Sequence, residues 1–375
     1  MSRSLKIRNF PFFIGPMSQP INPPGIPTGL DFELKYEEHR GILTQATNKD
    51  VSLLLESAYR FGNELGNALS ENDLARPYAD DFLLAVIESI PKISPNMRAL
   101  EIGAGTGYLT NKLTRLGFQA IGIEPGVGFT HHWARIEAKM VNDFFPSPQV
   151  EDQFDLVCAY MVLEHITNPL QFLMDIGSHL KTSGVAIIAV PDCTEELIAG
   201  DPSILIHEHV SYFDTNSLRA IAEIAGFDVE IKNSRYGRSL YAVLRHATEN
   251  KQNNKTPSVN HLETYPMRVQ EKIDFLSEKF TKFGEFGSVG VFCPARALYL
   301  LNLKVEYRFF EDDLNQIGKY IPPYPYPIEG RKELFDFPPE VLIIMSRTFG
   351  SRILESLRGE GYMGEIHLIK ELYSQ

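Results

Sequence analysis

Eight residues, Leu100-Glu101-Ile102-Gly103-Ala104-Gly105-Thr106-Gly107, constrain this chain more than any other stretch. The run before them, MRALEIG, has the short apolar character of a buried strand, and the spacing from Tyr108 to Leu116 is helical. The glycines therefore fall where a strand hands over to a helix. Glycine at such a turn lets the backbone approach a ligand at the strand's carboxyl end, with the helix N-terminal amides nearby. The next apolar run, Ala120 to Ile123, ends at Glu124, 21 residues after Gly103. A carboxylate there can accept hydrogen bonds from both hydroxyls of a ribose. The pairing of glycine turn and acidic strand end predicts a site for a nucleoside-containing cofactor.

Around this motif the chain alternates short apolar runs with amphipathic stretches: FQAIGIE, a helix near Phe129 to Ala138, FDLVCAY, a helix near Pro169 to Leu180, and VAIIAV. That is the βαβ rhythm of a doubly wound parallel sheet, so the fold class is α/β. A helix from Thr215 to Ala225 and two strands in FDVEIKNSRYGRSLYAVLRH close the series as an antiparallel edge. Two helices precede it, the second with Asp80 and Asp81 placed as caps. Residues 1 to about 30 are rich in Pro and Gly and read as an arm without regular structure. After the polar, breaker-rich Ala247 to Asn260 comes a long helix and a second α/β series: SVGVFC, a helix from Ala295, VEYRFF, VLIIMS, a helix from Arg352 to Arg358, and EIHLIK. The 375 residues thus divide into 1–75, 76–250 and 251–375.

Composition narrows the function classes. A net charge of −12 repels phosphate backbones and anionic membrane surfaces, so neither nucleic acid nor a membrane is expected as a partner. The three cysteines, Cys158, Cys193 and Cys293, are scattered with no CxxC pair, so no disulfide framework or cysteine zinc site is expected and a reducing cytoplasm fits. The N-terminal stretch is a poor signal peptide, because Pro11 and Pro16 interrupt a short apolar run. The sequence leaves the oligomeric state, monomer or dimer, open.

A dinucleotide fingerprint would place its third glycine at Tyr108; here the glycines follow GxGxG after the acid Glu101, which resembles the S-adenosylmethionine turn of class I methyltransferases. Asn142-Asp143-Phe144, Phe154-Asp155-Leu156-Val157, Met161-Val162-Leu163-Glu164-His165 and Leu180-Lys181-Thr182-Ser183-Gly184 follow in that family's order. The resemblance implies S-adenosylmethionine as cofactor, held by Glu101, Gly103, Ala104, Gly105, Gly107, Glu124, Asp143 and Met161. It implies a Rossmann-like domain followed by a smaller α/β domain, with a loop-rich and helical N-terminal lobe. Tyr108 counts against the alternative of a nicotinamide oxidoreductase.

Ile206-His207-Glu208-His209-Val210-Ser211-Tyr212-Phe213 places ionisable groups just past the fifth strand. A histidine beside a carboxylate can be tuned as a general base near neutral pH. Two histidines two apart without a third ligand make a weak metal case, and no metal is expected. The segment, together with Glu311-Asp312-Asp313, Gly318-Lys319-Tyr320-Ile321-Pro322 and Pro327-Ile328, is similar to the sugar C-methyltransferases that act on nucleotide-linked 4-keto sugars. That resemblance implies His209 as base with Glu208 as its partner, and a substrate site including His207, His165, Tyr236 and Arg238. Departures accompany it. Ile206 replaces the family tyrosine, Gln316 a lysine and Phe292 a glycine, and Tyr36 to Gly41 stands where the zinc-binding cysteines of the N-terminal lobe would be. The expectation is a methyltransferase (EC 2.1.1 class) of a small metabolite, with carbon methylation of a keto sugar carried by a nucleotide first. Oxygen or nitrogen methylation of another metabolite, and a non-catalytic cofactor-binding homologue, stand as alternatives.

Overall fold

The computed structural model describes all residues except 1–3, 13–15, 23, 47–48, 62–75, 249–259, 295–304, 348 and 374–375. The chain forms two compact units, each assembled from separated segments: Met1–Glu33 with Glu195–His207 and Thr264–Gln375, and Leu34–Thr194 with Glu208–Glu263. The three consecutive stretches expected from the sequence differ from this division. The cause is the first 33 residues and the Glu195–His207 excursion, which cluster with the C-terminal part.

In the unit built on Leu34–Thr194, seven strands form one sheet. Taken in chain order they are Arg98–Ile102, Gln119–Ile123, Lys139–Val141, Phe154–Tyr160, Leu180–Pro191, Phe227–Asn233 and Ser239–His246. Their spatial order is third, second, first, fourth, fifth, seventh, sixth, with the last two antiparallel as expected. The central strands carry continuous apolar runs because helices cover both faces. Alternate residues serve opposite cores. Val157 and Ala159 join Phe172, Leu173 and Ile176 on one side, while Leu156 and Cys158 join Phe82 and Val86 on the other. Truncating a fully buried member such as Leu173 to alanine removes about 2–5 kcal/mol of stability.

Local signals set the covering helices. Pro169 opens the Pro169–His179 helix and the Asn168 side chain accepts the Gln171 N–H. Asp214 and Ser217 cap the Thr215–Ile224 helix reciprocally, at 2.7 and 2.9 Å. Two expectations fail here. The helix near Phe129 to Ala138 is a 3-10 turn and one short helical turn, Thr130–Trp133. Asp80 and Asp81 are not caps, since they lie inside the Arg76–Glu88 helix. Buried Asp81 accepts the Tyr241 hydroxyl at 3.0 Å and the Arg235 N–H at 2.9 Å, and Asp80 accepts the Tyr108 hydroxyl at 2.8 Å.

The other unit holds a five-stranded parallel sheet of Val289–Phe292, Tyr307–Phe310, Ile328–Glu329, Val341–Ile344 and Glu365–Leu368, in the order third, second, first, fourth, fifth. This is the second α/β series read from the sequence; its helix from Ala295 lies outside the described residues. Val291 and Ile343 face a core with Leu276 and Phe280, while Phe292 and Ile344 face one with Leu334 and Leu357. A partly buried Arg347 is salt-bridged to buried Glu196 and Asp201, and burial pushes the Asp201 carboxyl up against the pull of that guanidinium. The N-terminal arm corrects the sequence expectation. Ser4–Pro11 is a strand, held by Asn9 N–H to Asp31 at 3.0 Å, because Leu5 and Phe10 supply apolar side chains that are buried. Among the described residues no helix is long and apolar enough to cross a membrane. None of the three cysteines forms a disulfide among the described residues.

Candidate active site

The order of the seven strands reverses direction between Arg98–Ile102 and Phe154–Tyr160, and a ligand crevice in such a sheet lies at the carboxyl ends beside that point. The glycine turn sits there. Gly103, Gly105 and Gly107 all have positive φ, at 72°, 51° and 80°. A Cβ on Gly103 would meet Val162 Cγ2 at 2.4 Å, and one on Gly107 would meet Ile136 Cδ1 at 2.4 Å, so both are packing requirements. A Cβ on Gly105 would meet nothing within 4 Å. The middle glycine alone faces open space, as a backbone must where a ligand approaches.

Glu124 ties the two strand ends together. Its Oε2 accepts the Gly105 N–H at 2.9 Å and its Oε1 accepts the Gly126 N–H at 2.7 Å. Burial raises its pKa, and those two amides pull it back down. The Gly103 and Ala104 N–H groups donate to Ile123 O at 2.9 and 3.1 Å, which fixes the turn against the neighbouring strand. Glu101 is fully buried beneath it and accepts the Thr110 hydroxyl; desolvation pushes its pKa to about 8. Glu101 thus ties the end of its strand to the Tyr108–Arg115 helix that follows the turn. Asp143 follows the third strand and accepts the Phe144 N–H at 2.9 Å and the Ser147 hydroxyl at 2.7 Å. Met161 has a φ of 55°, unusual for a side chain of its size, with its N–H bonded to Ala189 O at 3.0 Å. Backbone strain of that kind concentrates at functional crevices. The sequence pattern overlooked Trp133, whose indole N–H donates to Gly105 O at 2.9 Å. A single tryptophan two turns beyond the acidic strand end was its only signal.

Past the fourth strand, Leu163–His165 is a 3-10 turn that meets the segment starting at Glu208. The Val210 N–H donates to Glu164 O at 2.7 Å, and His165 Nδ1 lies 2.9 Å from Glu208 O. The rings of His165 and His209 are 5.0 Å apart, edge to face, and Glu164 and His209 are both buried. Glu208 enters this cluster through its carbonyl oxygen, so the surroundings of His209 include Glu164 and His165, a grouping that adjacency in the chain does not reveal.

The other expected substrate residues have different surroundings. His207 is enclosed by Phe10, Phe12 and Phe32 with ring centroids at 5.1, 5.4 and 5.5 Å, and its Nε2 is 3.1 Å from Phe10 O. Burial pushes its pKa down to about 4, so the ring is neutral near pH 7. Ile206 is buried as well. Tyr236 and Arg238 occupy the turn between the last two strands, and Ser239 pairs with Pro191, so the turn lies at the carboxyl edge of the sheet. Tyr236 is half exposed and packs against Tyr78 at 4.9 Å.

Residues 73–231 match the family described as Methyltransferase domain. A ubiquinone biosynthesis O-methyltransferase of Rhodopseudomonas palustris (strain TIE-1) is 32% identical over 103 residues, which cover 25% of this chain and 39% of that protein. The mitochondrial ubiquinone biosynthesis O-methyltransferase of Mus musculus is 27% identical over 213 residues, covering 50% of this chain and 58% of that one. The chain therefore spans 39% to 58% of the length of these relatives. Among solved structures, the CcbJ methyltransferase from Streptomyces caelestis aligns with a TM-score of 0.40 at 14% identity, over 50% of this chain and 98% of that one. The DhpI–SAH complex aligns with a TM-score of 0.41 at 18% identity, over 54% of this chain and 100% of that one. Strand order and glycine turn are those of the Rossmann-like class I methyltransferase fold, and the family match lies on residues 73–231 of this sheet.

Proposed function

We propose that this chain is an S-adenosylmethionine-dependent methyltransferase of a small metabolite, acting in the cytoplasm. The observation that carries the reading is the turn at Gly105, where open space adjoins a backbone gripped by the Glu124 carboxylate. Those residues fit the cofactor. Glu124 would accept the ribose hydroxyls, the loop at Asp143 would flank the adenine, and the strained Met161 would border the methionine end. When bound, S-adenosylmethionine supplies an electrophilic methyl on a sulfonium. The chain's own part is to align the acceptor, keep water out and take up its proton, and alignment is the larger contribution for a transfer of this kind.

We assign the handling of that proton to the cluster of His209, Glu164 and His165, at the same carboxyl edge. Oxygen methylation of a hydroxyl is the reading we prefer. The buried Ile206 cannot donate to an enolate and His207 is closed within phenylalanines, so a keto-sugar site would lack two of its polar contacts. Several relatives are named O-methyltransferases. Carbon methylation of a nucleotide-linked keto sugar is the second reading, supported by the resemblance of the C-terminal sequence from Glu311 to Ile328 to that family.

Calorimetric titration with S-adenosylmethionine, followed by turnover with the ¹³C-methyl cofactor on phenolic and keto-sugar panels, tests both. A methoxy carbon in the product supports the first reading and a C-methyl carbon the second. Absence of cofactor binding would overturn the proposal.

A further inference from the structure

We propose that Glu164, His165 and His209 form a binding site for a divalent cation of the zinc, cobalt and manganese class. By chain spacing no such site is visible, because His207 and His209 stand two apart and His207 is turned away among Phe10, Phe12 and Phe32. The fold supplies different companions. The Leu163–His165 turn and the strand-like segment after Glu208 are stitched by the Val210 N–H to Glu164 O bond at 2.7 Å. One donor atom from each of Glu164, His165 and His209 then lies within 4.8 Å of the others.

Three features of this cluster are those of a cation site. Two imidazoles and one carboxylate are a donor set that first-row divalent ions favour. His165 Nδ1 is 2.9 Å from Glu208 O, a main-chain acceptor, so in the neutral ring Nδ1 carries the hydrogen and Nε2 is the nitrogen that faces Glu164. Metal-binding histidines are oriented in this way by a carbonyl or carboxylate on the far ring nitrogen. That Nε2 lies 3.8 Å from Glu164 Oε1. Two donors about 2.1 Å from one tetrahedral ion would stand roughly 3.4 Å apart, a difference that a small side-chain rotation removes. The carboxylate is 2% exposed and His209 6%, so a cation here meets a desolvated negative charge and little competing water.

Three protein donors leave coordination positions for water or a substrate oxygen, the arrangement of catalytic rather than structural sites. Here the inference rests on the methyltransferase reading: with the cation bound, the cluster would handle the proton by acidifying an acceptor hydroxyl at the open position, which would release its proton to solvent water more readily, as metal-bound water does. His209 would then act as a neutral ligand. Cation binding itself does not depend on that reading and is measured without cofactor or acceptor, so the two can fail separately.

The full chain is stripped with a chelator, dialysed against Co²⁺ and then titrated with Zn²⁺. One equivalent of Co²⁺ per chain is expected, with visible d–d absorption of a four- or five-coordinate ion that Zn²⁺ abolishes. His209→Asn and Glu164→Gln should each weaken Co²⁺ binding at least 100-fold while circular dichroism stays unchanged. Because either variant could misfold, X-ray absorption on the Zn²⁺-loaded unaltered chain supplies an independent reading: two imidazoles with oxygen donors and no sulfur. Binding that survives both substitutions, such as adventitious capture by the surface pair His131 and His132, overturns the proposal. So does a spectrum with fewer than two imidazoles, or no uptake by the folded chain.

Discussion

The Glu124 carboxylate accepts the Gly105 N–H at 2.9 Å, so the acid at the end of one strand holds the glycine turn at the end of its neighbour. A ribose entering the crevice shares a carboxylate that already orients the backbone beneath it. Hydrogen bonds to charged groups contribute about 1.5–3 kcal/mol, which converts to roughly 10–100-fold in affinity. Glu124→Gln should weaken S-adenosylhomocysteine binding by about that factor, measured by calorimetry. An affinity within twofold of the unaltered chain would remove Glu124 from the cofactor site.

Gly103 and Gly105 separate packing from ligand approach. Gly103→Ala drives its Cβ into Val162 Cγ2 and should lower stability by about 1–3 kcal/mol or more in urea unfolding. At Gly105 a Cβ meets nothing within 4 Å, so Gly105→Leu costs chiefly the left-handed backbone strain of about 1–2 kcal/mol and should abolish cofactor binding in a folded chain. Normal affinity in the second variant would sink the cofactor assignment.

Glu101 predicts a pH dependence of stability. Its pKa is raised from 4.5 to about 8, chiefly by desolvation, so the folded chain holds a proton that the unfolded chain releases near the ordinary value. The folded state is favoured below about 4.5 and loses that advantage progressively as pH rises to about 8. Glu101→Gln carries no titrating group, so the melting temperature of the variant should gain on that of the unaltered chain between pH 5 and about 8. Parallel profiles for the two would show that Glu101 is not the buried acid described here.

The cofactor crevice was legible in the sequence because it is local: Glu101, the three glycines and Glu124 all sit within one strand–helix–strand unit whose periodicity announces itself. Most strands of the seven- and five-stranded sheets were legible for the same reason, as short apolar runs, whereas Lys139–Val141 and Ile328–Glu329, three and two residues long, were too short to show. What escaped depends on distant contacts. Asp81 has the look of a helix cap until Tyr241 and the Arg235 N–H, far along the chain, are seen to bind it inside the helix. The Ser4–Pro11 strand is hidden by the prolines and glycines that follow it, since a strand is fixed by its partner rather than by its own propensity. Glu164 gained no role from its neighbours in sequence, and only the return of the chain at Glu208 to Val210 gives it His209 for company.

His207 offers the sharpest contrast between the two levels. In sequence it is one of three ionisable residues in a row, and the sugar-methyltransferase resemblance places it at the substrate. In the fold it is 2% exposed, stacked on Phe12 and edge-on to Phe10 and Phe32, with Nε2 on Phe10 O. Removing a buried ring from such a cage leaves a cavity and an unsatisfied carbonyl, together costing about 2–4 kcal/mol. His207→Ala should therefore lower the urea midpoint accordingly, while S-adenosylhomocysteine affinity, and the KM for any acceptor found, stay within twofold in the folded fraction. A raised KM at unchanged stability would return His207 to the substrate site and overturn its assignment as a packing residue.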